Sequence, residues 1–168
     1  MNVHGYEIKA YADLRGVDLH RANLQDADLR GADLRNADLH DADLRGANLH
    51  GAKLHGAYLR FADLHGANLH SANLQYANLH GAGLRNVDLR YADLRDADLY
   101  GANLQDADLR GANLDYSCWP LWCGSKGAKL DSEQIDQLCL HLYWVAGTTI
   151  GSIEERAQRA ATKRHVQL

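Results

Sequence analysis

The sequence predicts an all-β solenoid, on three observations: a strict short repeat, the odd length of its period, and two ends that fall out of register with it. From Ala12 to Tyr116 a five-residue unit, Ala-Asp/Asn-Leu-X-X, runs without a gap through 21 copies. Leu holds the centre of every copy, from Leu14 to Leu114. Ala stands two residues earlier in 19 copies, with Val17 and Val87 the exceptions. The residue between them is Asp or Asn in all but three copies, which carry Lys53, Tyr58 and Gly83. Self-similarity this regular sets the architecture before local propensity does.

A period of five excludes the ordinary elements. At 100° per residue, successive leucines on an α-helix would lie about 140° apart and form no stripe. In a continuous strand an odd period sends alternate leucines to opposite faces. A chain that turns a corner once per repeat returns every Leu to a common interior. Its stacked turns then satisfy backbone donors and acceptors in ladders about 4.8 Å apart.

The run of Ala-Asp/Asn-Leu units resembles the pentapeptide-repeat family over residues 12–116. The resemblance implies a right-handed quadrilateral β-helix with four repeats to each coil. The chain would then make a little over five coils, a rod of about 25 Å at the ladder spacing.

Each position of the unit has a physical task. Leu and Ala alternate with an outward residue and so point inward, which makes Leu14, Leu34, Leu64, Leu89 and Leu114 structural core. The outward Asp or Asn carries a short polar side chain able to bond nearby backbone at the bend. Gly at the fifth position, as at Gly16, Gly31 and Gly46, suits corners with unusual dihedrals.

The ends are expected to cover the rod. Residues 1–11 are out of register, and Val3 to Ile8 are read as an irregular first strand closing the bottom coil. After Tyr116 the units stop, and residues 117–168 are read as a C-terminal cap. Trp119 and Trp122 supply its bulk, and a degenerate unit is legible at Gly127-Ala128-Lys129-Leu130. Asp131 caps a helix reaching Ala146, with Gln134 completing a capping box and Leu138 and Leu142 on one face. Ser152 with Glu155 starts a second helix reaching about Arg164. The Cys-Trp-Pro-Leu-Trp-Cys segment resembles C-terminal segments of bacterial and phage proteins of the same family. The cap's outer face is the expected homodimer surface.

Composition narrows the function classes. The net charge is −4, so the chain lacks the basic balance of a direct nucleic-acid binder. No apolar run approaches the roughly 18 residues of a membrane span. Three cysteines without a secretory block point to a reducing, cytoplasmic setting. There is no phosphate-binding glycine loop and no nucleophile elbow, and a filled solenoid offers no interior site, so no catalytic residue and no cofactor are expected. No metal site is expected either. His20/His40 and His50/His70 would stack at the coil spacing without a third ligand; Cys118, Cys123, Cys139 and His141 lack a zinc spacing, and the three cysteines read as buried thiols.

Function must therefore lie on the outward surface, where the residue after each Leu is mostly Arg, His or Gln and flanks the Asp/Asn position. Tyr58, Phe61, Tyr76 and Tyr91 interrupt those rows and are the candidate contacts for a protein partner. The expected function is a rigid, non-enzymatic interaction module. The resemblance implies an alternative, a DNA mimic acting on a type II topoisomerase (DNA gyrase). Residues 12–116 carry 16 acidic and 11 basic side chains, a net of −5 with His neutral. A duplex of that length carries about 15 charges, roughly three times as many.

Overall fold

The structure is a computed structural model that describes residues 1–118, 126–132 and Gln134. Trp119, Trp122, Leu138 and Leu142, on which the expected cap rests, lie outside the described residues.

Backbone pairing in the repeats runs at an interval of 20 residues. Asp13 bridges Asp33, and the same parallel column continues through Lys53, Asn73, Asp93 and Asn113. Columns starting at Asp18, Asn23 and Asp28 repeat the pattern, so one coil holds four units and the rod has four faces. The first face carries Leu14, Leu34 and their successors; the second begins with Leu19, the third with Leu24 and the fourth with Leu29.

The hydrogen bonding of one unit accounts for all five of its N–H groups. In residues 62–66, Ala62 N–H closes a turn onto the Leu59 carbonyl at 3.1 Å. Asp63 N–H reaches back to Ala42 at 2.9 Å, while Leu64 and Gly66 donate forward to Gly83 and Arg85 at 2.8 and 2.9 Å. The fifth donor, His65 N–H, is taken by the Asp63 side chain at 3.0 Å. That bond is why the position before Leu is Asp or Asn: a short side chain with an acceptor oxygen reaches the N–H two residues on. It forms at all 18 repeat positions that carry Asp or Asn.

The turn between faces places its third residue at positive φ, the requirement of a type II turn. Glycine meets it without a steric penalty, yet Arg21, Phe61, Tyr76 and Tyr91 adopt it as well, at φ of 54 to 58°. Several aromatic corners have a compensation. The rings of Tyr11, Phe61 and Tyr91 each lie against the glycine one coil on, Gly31, Gly81 and Gly111, in space a Cβ would occupy. These corners therefore need glycine twice, once for φ and once for room.

Inside, the four columns of Leu and the Ala beside them form one continuous core. Leu34, Leu64 and Leu89 are fully buried, Leu14 is 2 % and Leu114 4 % exposed. The narrow corner explains the near-invariance of Ala there, and Val17, one of its two replacements, is only partly buried.

The N-terminus differs from the single irregular strand expected. It is a two-stranded antiparallel hairpin, β1 (Asn2–Val3) and β2 (Tyr6–Glu7). Its two-residue loop, His4-Gly5, has positive φ at both positions, the mark of a type I′ turn whose twist suits a hairpin. The Met1 amine and carbonyl pair with Ile8 at 3.0 and 2.7 Å, and Ile8 and Val3 pack on the first coil.

At the other end the register runs on past Tyr116. Ser117 takes the buried Ala site and Cys118 the outward site, bridging Asp98. Cys118 is therefore an exposed free thiol and not a buried one, because its place in the unit is the one that faces solvent. Lys129 pairs with Asp108 at an interval of 21, one residue more than a coil, and Ala128 and Leu130 pack on the core. Asp131 and Gln134 exchange bonds as a capping box, the Asp131 N–H to Oε1 at 2.8 Å and the Gln134 N–H to Oδ1 at 3.2 Å. The same pair fastens to the last coil: Asp131 accepts from Gly111 N–H, and buried Gln134 donates to the Ala112 carbonyl.

Truncating Leu64 leaves a void that coils locked by the ladder cannot close, so Leu64→Ala costs about 2–5 kcal/mol in urea unfolding. Arg60→Ala, on the outward side, costs far less; equal losses would contradict the assignment of faces. Gly81→Ala costs about 1–2 kcal/mol for the left-handed backbone alone, plus displacement of the Phe61 ring. In a Phe61→Ala background that second part disappears. A double-mutant cycle with no coupling between the two sites would rule out the ring-on-glycine packing.

Candidate interaction surface

Outward positions lie on either side of each Leu, two residues apart, so an Arg after Leu meets the Asp before it. Seven such pairs are bidentate, at 2.6–2.9 Å: Arg15–Asp13, Arg30–Asp28, Arg35–Asp33, Arg45–Asp43, Arg90–Asp88, Arg95–Asp93 and Arg110–Asp108. Hydrogen bonds from the Arg90 guanidinium hold the Asp88 carboxyl below its ordinary range, and Arg95 and Arg110 do the same for Asp93 and Asp108. Exposure keeps each pair modest in energy.

The pairs leave a gap at mid-rod. Between residues 48 and 87, two coils or about 10 Å of height, the only acidic side chain is Asp63. Asp63 leans to Arg45 in the coil below, at 3.8 Å. The three units without Asp or Asn, at Lys53, Tyr58 and Gly83, all fall in this waist. There the N–H groups of His55, Arg60 and Arg85 have no side-chain acceptor two residues back, and Lys53, Arg60 and Arg85 have no carboxylate within their own units. Among the described repeat residues, Lys53, Arg60 and Arg85 are the basic side chains without an ion pair within 4.0 Å.

The four aromatic candidates do not form one patch. Tyr58 stands on the second face and Phe61 on the corner that follows it. Tyr76 occupies the corner between the first and second faces, edge-on to His55 at 5.3 Å. Tyr91 lies on the corner between the fourth and first faces, against His70 at 5.4 Å. All are more than half exposed. Of the four, Phe61 alone has a guanidinium over its ring as well as a histidine at its edge: Arg60 lies 4.8 Å from its ring centre and His80 packs edge-on at 5.7 Å. His80 in turn stacks on Tyr100 at 5.3 Å. Arg60, His80 and Arg85 were not among the sequence candidates; the signal for the two arginines was the missing Asp or Asn before Leu59 and Leu84, whereas His80 sits in an ordinary unit and is brought there by the coil.

The histidine columns stack as the coil spacing requires, His20 on His40 at 5.4 Å and His50 on His70 at 5.1 Å. Asp18 and Asp38 hold Nδ1 of the first two, and Ser71 Oγ meets His70 Nδ1 at 2.9 Å. Among the described residues no group of three or more ligating side chains is placed to hold a metal. No helix among them is long and apolar enough to cross a membrane.

Because the paired carboxylates have lowered folded values, their stabilisation is complete above the unfolded value near pH 4 and is lost as pH falls through the folded values. Arg90→Gln/Arg95→Gln should melt below the parent at pH 7, and the two curves should converge as the pH is taken to 2. A difference in Tm that stays constant across that range would show the pairs to be electrostatically idle.

The sequence matches the family model described as Pentapeptide repeats (8 copies) over residues 12–51, 52–90 and 77–115. No curated protein sequence matches the chain. Among solved structures it is similar to a pentapeptide repeat protein (Rfr23) from the cyanobacterium Cyanothece 51142, with 31% identity over 71% of this chain and 84% of that one, at a TM-score of 0.49. It is also similar to alr5209, a pentapeptide repeat protein from Nostoc Pcc 7120, with 36% identity, 68% and 84% coverage, and a TM-score of 0.45. QnrB1, a plasmid-mediated fluoroquinolone resistance protein, matches at 21% identity over 79% of this chain and 77% of that one, with a TM-score of 0.36. The repeat, the four-faced coil and the family match agree: the chain belongs to the pentapeptide-repeat family.

Proposed function

We propose that this protein is a rigid, non-enzymatic protein-interaction module acting in the cytoplasm. The observation that supports it is the division of labour within the unit. Leu and Ala fill the interior, so all recognition falls to outward side chains on a frame held by ladders at every coil. The unpaired cations and exposed aromatics at mid-rod have the composition of a protein contact, rich in Arg, Tyr and Phe. A second copy docking on the outer face of the C-terminal cap belongs to the same proposal.

DNA mimicry of gyrase is the second reading, and the charge pattern weighs against it. Seven of the rod's carboxylates are covered by bidentate arginines. The acidic character is also interrupted at mid-rod, where a mimic would need it continuous. Chemical cross-linking in the source cells followed by purification should recover a discrete protein partner in near-stoichiometric amount. Recovery of nucleic acid alone would contradict the module. Purified protein at low micromolar concentration should leave gyrase supercoiling unchanged and give no protection from a quinolone; salt-sensitive inhibition or protection would transfer the choice to the mimic.

A further inference from the structure

We propose that the waist, centred on the corner at Phe61, is the docking site for an acidic protein segment that carries an aliphatic or aromatic side chain. The inference rests on the module reading and names its surface and the chemistry of its partner.

The repeat shows what the positions before Leu59 and Leu84 do elsewhere. Asp there would take the free N–H of Arg60 or Arg85 and clamp its guanidinium, as in the seven bidentate pairs. Tyr58 and Gly83 forgo both bonds, each of which would stabilise the coil. The forgone bonds leave two cations on adjacent faces without a carboxylate in their own units and without an ion pair within 4.0 Å, on either side of the Phe61 corner. Phe61 itself holds a left-handed backbone at φ 57, where a bulky residue is strained, and keeps half its surface in water. Beside it, Gly81 and Gly83 add no side chain of their own, so the Phe61 ring lies against Gly81 and the Asp63 carboxylate against Gly83. The result is a ledge with an aromatic floor and cations at both sides.

Charge decides the class of occupant. The waist carries three basic side chains against one acidic, and that acidic one already leans to Arg45. Above and below it, the remaining 15 acidic side chains of the repeats flank the band. A nucleic-acid strand long enough to run along the rod would meet those ends, whereas a short acidic peptide crossing the rod needs only the two coils between them. Carboxylates would pair with Arg60 and Arg85, and an apolar side chain would cover Phe61 and Tyr58.

The test uses the full chain and fluorescence anisotropy with three probes: a labelled 12-residue Glu/Asp-rich peptide containing Leu and Trp, the same peptide with Gln and Asn, and a 12-nucleotide single strand. The acidic peptide should bind at least tenfold tighter than either control, and Arg60→Gln/Arg85→Gln should weaken it at least tenfold. Tyr58→Asp/Gly83→Asp restores the repeat, so it should raise Tm while removing binding, a combination no damaged fold produces. Tighter binding of the oligonucleotide, equal binding of the two peptides, or full binding by the restored variant overturns the inference. Recovery of the same cross-linked cellular partner by parent and restored variant would refute this surface while leaving the module standing; loss of the partner in the variant supports it.

Discussion

One side-chain hydrogen bond completes this fold: the Asp or Asn oxygen that accepts the N–H two residues on. Coil-to-coil ladders and the turn use four of the five donors in a unit, and geometry leaves the fifth without a backbone acceptor. An unpaired donor repeated along the rod would add up to a large cost, because each lost bond counts on the scale of a kilocalorie per mole. The outward residue before Leu is therefore selected for a short acceptor, and the acidic surface of the rod follows from a backbone requirement.

That constraint shapes the rest of the surface. An Asp fixed for the sake of the backbone places a carboxylate beside the residue after Leu, and Arg there clasps it bidentately. Acidity and basicity thus cancel locally over much of the rod. The corners show the same economy. Every unit bends through a left-handed residue, which Gly, Asn and Asp tolerate, and an aromatic such as Phe61 or Tyr91 persists there with a glycine above it to receive the ring. Even exposed aromatics have a structural component, so exposure alone does not single out a binding residue.

What separates Phe61 from Tyr91 is the company it keeps. Tyr91 follows Arg90, whose guanidinium Asp88 already holds. Phe61 follows Arg60, whose neighbour two residues back is Tyr58 and offers nothing. The stability of a repeat array is close to a sum over its units, so a few units can depart from the optimum without loss of the fold. The departures in this chain gather in two adjacent coils, where stability is exchanged for exposed, uncommitted side chains.

By itself, the sequence determined the solenoid, its interior and the outward place of the Asx positions, because a five-residue period with Leu at the centre admits no helix and no flat strand. It also carried the capping box of Asp131 and Gln134, a local pattern that local bonds satisfy. Its reading of the N-terminus as a single strand missed the hairpin, since the turn at His4-Gly5 depends on two backbone angles that residue types only suggest. Its reading of Cys118 as buried failed because the site's direction comes from registry with Asp98, 20 residues earlier. The aromatic set was legible as residues and illegible as a surface: Tyr58, Phe61, Tyr76 and Tyr91 lie within 34 positions of one another in the chain yet spread over three corners and a face. Only the coiling, which turns an interval of 20 into direct contact, decided that His80 and Tyr100 would join Arg60 and Phe61 and that Tyr91 would not.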